Sequence, residues 1–146
     1  DDVLRLAASS VAKEITDEIA DDVSPIETGL GRIIVSTKLF IERATMAADW
    51  GALIVDVVHQ ISDTRQNVAE HLRDDVALAI AQGDIEAMPN GFTIHQIACL
   101  IALAIEMIIK DKSASADDMI EQTCISVLQM LGMSADVAVK SVRAYS

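Results

Sequence analysis

Aromatic residues are scarce in this chain, with one Trp, one Tyr and two Phe among 146 residues. Few side chains are therefore available as platforms for stacking bases or sugars. The hydrophobic fraction still reaches 51%, so the apolar content is Ala, Ile, Val, Leu and Met, residues that pack helix against helix. Basic residues are also few, 11 against 23 acidic ones, giving a formal net charge of −12. Binding to nucleic acid or to anionic lipid depends on Lys and Arg, so this balance argues against both partners. It suits solubility, or attraction to a basic protein. Cysteine is limited to Cys99 and Cys124, with no Cys-x-x-Cys pair. Both lie in apolar helical patterns and read as reduced core thiols.

Several catalytic patterns are missing too. There is no Gly-x-Ser-x-Gly, no P-loop and no dinucleotide-binding glycine pattern. Gly29–Arg32 reads "GLGR", but it follows a helix cap rather than a strand. His95 and Cys99 stand four apart, yet nothing nearby would supply an oxyanion site. The expectation is a non-enzymatic protein with no cofactor. The opening "DDVLRL" has no signal-peptide character, and a soluble, cytoplasmic protein is the favoured expectation.

What the chain does have is helical periodicity punctuated by Gly, Pro and Ser. A length of 146 residues fits one domain that buries roughly 68–70% of its unfolded surface. The pattern predicts an all-α, single-domain bundle over residues 1–146, of about six helices, with a long second helix and a central buried fourth helix. Helix one is expected over about Asp2 to Ala20, with Leu4, Ala8, Val11, Ile15 and Ile19 on one face. "SPIE" predicts the second start, with Ser24 as N-cap, Pro25 at the first helical position and Glu27 three after the cap. Gly29 and Gly31 follow, and either weaken the first turn or allow a second backbone to approach. From Leu30 the pattern runs to Ile61, which would span roughly 48 Å. A bend near Trp50–Gly51, or pairing of the projecting helix with another subunit, is expected.

The third helix should start at Asp63 or Ser62 and stop at Gly83. "DIEAMPNGF" supplies a loop, and Thr93 is the expected cap of helix four, with Phe92 and Ile97 forming a hydrophobic staple. Ser113 or Ser115 should cap helix five, and Ser134 the last. Helix four contains "IACLIALAIEMII", Ile97 to Ile109, whose one non-apolar residue is Glu106. That run is shorter than the roughly 20 apolar residues of a spanning helix. It predicts a core helix with a polar stripe through His95, Cys99, Ala102, Glu106 and Lys110, and no membrane role.

Two constellations are candidates for chemistry. Glu42, Asp49, Asp56 and Asp63 recur every seven residues, nearly two helical turns, and share one face. With Trp50 they form a candidate interaction surface. Asp56-x-x-His59 and His71-x-x-Asp74 are candidate metal ligands, because a carboxylate and a His at i, i+3 can hold one ion between neighbouring helices. A solvated acidic face explains the same residues. "DKSASADDMIEQ" can be laid on a calcium loop through Asp111, Ser113, Ser115 and Asp117. It fails where Gly and Glu are required, having Ala116 and Gln122 there.

Three functional classes follow. The first is a helical interaction or assembly protein forming a homo-oligomer, since so much apolar surface needs a second subunit to cover it. The second is an acidic inhibitor or immunity-type protein for a basic partner, using the acidic row and the Asp17–Asp22 cluster. The third is a binder of an apolar small molecule between helices.

Overall fold

The computed structural model describes residues 2–46, 53–56, 62–111 and 115–145, with residues 62–64 as backbone only. The chain is an all-α bundle, and no strand occurs among the described residues. Helix α1 covers Asp2–Val23, α2 Gly29–Met46, α3 Ser62–Ala81, α4 Gly91–Lys110, α5 Ala116–Met130 and α6 Ala135–Ala144. A further helical stretch occupies 53–56. Helix α2 is followed to Met46; the expected bend at Trp50–Gly51 lies outside the described residues, as does the junction that would make one long helix.

Helix α1 runs one turn past its expected end, because Ala8, Ala12, Thr16, Ile19 and Val23 form a continuous buried stripe. Asp21 and Asp22 therefore lie in its last turn, where carboxylates oppose the helix dipole. Arg43 of α2 offsets this: it pairs with Asp22 and makes a looser contact with Glu18 at 3.8 Å.

The start of α2 departs from the capping box expected at Ser24. The Ser24 hydroxyl donates back to Asp21 O at 2.7 Å and so closes the turn after α1. The working cap is Thr28, whose Oγ1 accepts from Gly31 N at 3.1 Å. The Gly29 N–H is bonded from outside the helix: it donates to Gln82 Oε1 at 2.8 Å, while Gln82 Nε2 donates to Glu27 O at 2.7 Å. A tertiary partner thus satisfies a donor that a local cap would otherwise leave free. Tyr145 reaches the same place, with its hydroxyl 2.9 Å from Thr28 Oγ1 and its carbonyl accepting from Lys38 Nζ at 2.9 Å.

Helix α3 stops at Gly83, which takes φ +83°. Gly83 N donates to Ile80 O and Asp84 N to Ala79 O, the paired bonds of a Schellman end. Helix α4 is capped by Asn90, not Thr93: the Asn90 side chain accepts from Thr93 N at 2.9 Å. No staple forms there, because Phe92 is 73% exposed. Ser115 and Ser134 cap α5 and α6 as expected.

Helix α2 packs against α1, α3, α4 and α5, and α3 closes on α1 and α4. Helix α5 joins α4 to α6. The core runs through Ile33, Ile34 and Ile41 of α2, Val76 and Ala79 of α3, Ile97 and Ile105 of α4, and Val127 and Leu128 of α5. Helix α4 buries Ile94, Ile97, Ala98, Ile101, Ala102, Ala104 and Ile105 and shares the centre with α2. Cys99 and Cys124 are free thiols. Burial pushes the Cys124 thiol up to about 12, so it stays protonated.

The crossing of α2 over α3 is set by Gly29. A Cβ there would lie 2.4 Å from both Ala79 N and Asp75 O, which are backbone atoms. Helix propensity alone predicts that Gly29→Ala gains about 1 kcal/mol. The packing predicts the opposite sign, a loss of about 1–3 kcal/mol as the helices are forced apart. Urea unfolding of the variant distinguishes the two, and a lower midpoint is the expected result.

Candidate functional site

A cavity of about 230 Å³ lies between α1, α2 and α3. Helix α1 lines it with Thr16, Ile19, Ala20 and Val23, α2 with Arg32, Ser36, Thr37 and Phe40, and α3 with Val68, His71, Leu72, Asp74 and Asp75. Ile101 is contributed by α4, and Ser24 by the turn after α1. The spacing of these residues explains their convergence. On each helix they recur at three or four residues, so each set occupies one face.

Most of the polar groups here are already engaged. Thr16 donates to Ala12 O at 2.7 Å, and Thr37 and Ser36 both donate to Ile33 O, at 2.8 and 3.2 Å. Arg32 is turned toward the loop: Nε donates to Ile26 O at 2.7 Å and Nη2 to Ser24 O at 2.9 Å. His71 Nε2 lies 3.2 Å from Asp17 Oδ1. Lys13 and then His71 hold the Asp17 carboxyl below its ordinary range.

Asp75 stands apart. Among the described residues no hydrogen bond or salt bridge reaches its carboxylate. Burial raises it from an ordinary value of 3.8 to about 6, with Arg32 and His71 acting against that rise and Asp74 adding to it. Asp75 is a half-buried carboxyl on the lining of an otherwise largely apolar cavity.

The described candidate metal ligands fall in two places. Asp56 lies 3.4 Å from Arg5 Nε, at the beginning of α1. His71 meets Asp17, roughly three helical turns further along α1. Asp74 is exposed and lines the cavity beside His71, while His59 lies outside the described residues. Among the described residues no group of three or more His, Cys, Asp or Glu side chains is placed to hold a metal ion. Of the candidate interaction row, Glu42 is exposed on α2 and Asp56 is half-buried. Asp49, Trp50 and the Asp63 side chain lie outside the described residues.

Sequence reasoning did not single out Asp75. A signal was present: Asp75 is three after Leu72 and four before Ala79, on the stripe that carries the apolar row of α3. Gln82 carried no comparable signal, since it acts on residues more than fifty positions away.

No family model matches the chain, and neither a curated protein nor a solved structure matches it.

The raised Asp75 group gives a pH dependence of definite sign. The folded state holds this proton more tightly than the unfolded state, so stability falls as pH rises from about 4 through about 6. Asp75→Asn removes the term. The melting temperature of the variant should exceed that of the native chain above about pH 6, and the gap should close toward pH 4. Parallel thermal melts across that range check it; a gap independent of pH would contradict it.

Proposed function

We propose that the chain is a non-enzymatic helical assembly protein that forms a homo-oligomer through the outer face of α4. The observation that carries this reading is an exposed apolar stripe on that helix. Phe92 is 73% exposed, Leu103 46% and Met107 44%. They stand on one side with Gln96, opposite the buried row from Ile94 to Ile105. By length and composition α4 is apolar enough to cross a membrane, and 39% of its most apolar window is buried. Its packing on α2, α3 and α5 supports reading it as a wall of the bundle.

The expected polar stripe sits at the edge of this exposed side, not at its centre. Ala102 is 1% exposed and belongs to the core. Glu106 accepts from Lys110 Nζ at 2.6 Å, so the two charges compensate one another. A chain of net charge −12 repels its own copies, and a charge-balanced apolar stripe is where two copies meet at the lowest electrostatic cost. Pairing of α4 with α4 about a two-fold axis would cover the stripe on both copies.

The reading of an acidic inhibitor for a basic protein draws less support. Three of the four acids in the cluster it would use are engaged within the chain: Asp17 by Lys13 and His71, Glu18 and Asp22 by Arg43.

Sedimentation equilibrium tests the assembly. The native chain should show a multiple of its single-chain mass at high micromolar concentration. Leu103→Glu combined with Met107→Glu should return it to one chain, with fold stability changed by no more than about 0.5 kcal/mol per exposed site. A native chain that stays monomeric throughout overturns the proposal.

A further inference from the structure

We infer that the cavity between α1, α2 and α3 is a binding site for a small organic ammonium ion with an apolar body, held by Asp75. This does not rest on the assembly proposed for α4, whose outer stripe faces away from the cavity.

The volume sets the size of the ligand. A cavity of about 150 Å³ lined by apolar side chains is enough to hold benzene. The present one, at about 230 Å³, has room for a ring or branched alkyl group and a short arm. Ile19, Phe40, Leu72 and Ile101 form an apolar lining suited to that body.

The charge of the ligand follows from which polar groups are left over. The nitrogen-bearing side chains of the lining, Arg32 and His71, already have partners. Arg32 donates to the carbonyls of Ile26 and Ser24, and His71 is paired with Asp17. A carboxylate ligand would have to compete with those bonds inside a strongly acidic chain. The hydroxyls of Thr16, Ser36 and Thr37 donate to their own helices, leaving lone pairs that accept. Asp75 offers a half-buried carboxylate that has lost part of its hydration and gained no hydrogen bond in return. The cavity therefore presents acceptors, and the complement is a donor cation. An ammonium group restores to Asp75 what burial removed, with a charge-assisted hydrogen bond. Phe40 on the lining supplies an aromatic ring that can add a second favourable contact for a cation or a ring.

Binding of a cation should also draw Asp75 toward its ionised form. The other charged or titratable groups at the cavity are Arg32 from α2 and His71 and Asp74 from α3; the lining residues of α1 and α4 carry no charge. The titration of Asp75 is thus a readout of occupancy separate from affinity.

The test uses three probes of one shape: 2-phenylethylamine, 2-phenylethanol and 3-phenylpropionate. Each is titrated into the native chain near pH 7.5 and followed by amide and side-chain carboxyl NMR. The amine should give saturable shifts at Thr16, Leu72 and Asp75, and should lower the Asp75 titration midpoint. The alcohol should bind more weakly by about tenfold or more, and the carboxylate should not bind. Asp75→Asn should remove the preference for the amine over the alcohol. Three results overturn the proposal: no saturable shift with the amine, equal binding of amine and alcohol to the native chain, or shifts that map away from the cavity. The comparison of amine with alcohol needs no variant, so it stands whatever Asp75→Asn does to the fold.

Discussion

The contact on which the rest of the structure depends is the crossing of α2 over α3 at Gly29. With no side chain at that position, the backbone of α2 lies against Asp75 and Ala79 of α3. The approach is close enough for Gln82, just past the end of α3, to reach both the Gly29 N–H and the Glu27 carbonyl. One glutamine thereby ties the start of one helix to the end of another, and Thr28 and Tyr145 complete the same junction. Since α2 also packs on α1, α4 and α5, its angle on α3 fixes where the remaining helices can lie.

The cavity is a consequence of that crossing. From Gly29 the two helices pass in opposite chain directions, α2 through Arg32, Ser36 and Phe40, and α3 from Asp75 back through Leu72 to Val68. They touch at backbone distance near one end, and the cavity lies between them further on. The space that opens between them is closed on the third side by α1, through Thr16, Ile19 and Val23. Asp75 sits where close contact gives way to cavity. It is near enough to the crossing to be desolvated, and it faces space that no protein donor fills. The same geometry accounts for both its raised proton affinity and its lack of a partner.

The helices themselves were legible in the sequence, because each depends on a local apolar period and on nearby caps. Ser115, Ser134 and Gly83 act within a turn of the residues they serve; Ser134 and Gly83 were read as such, and Ser115 was one of two caps offered for α5. The errors arose where two local patterns competed, or where packing decided between faces of a helix. Ser24 has the right neighbours for a capping box, but α1 continues to Val23 to bury that residue and takes the serine for its own final turn. Asn90, read as turn chemistry, has a side-chain oxygen that reaches Thr93 N and begins α4 three residues earlier than Thr93 would. The polar stripe of α4 was set by the positions of its few polar residues. The bundle instead buries the side rich in Ile and Ala, and it leaves Leu103 and Met107 outside. The cavity could not be read at all, since it depends on how far two helices diverge and not on any residue pattern.

The most direct measurement of this account is the proton–proton proximity between Gly29 and α3 in a solution nuclear Overhauser spectrum. The account predicts cross-peaks from the Gly29 Hα protons to the Ala79 amide and Hα protons, with the Gly29 amide slow to exchange because Gln82 accepts it. Absence of those cross-peaks from an assigned spectrum, with a Gly29 amide exchanging as fast as an open loop, would contradict the crossing and everything derived from it.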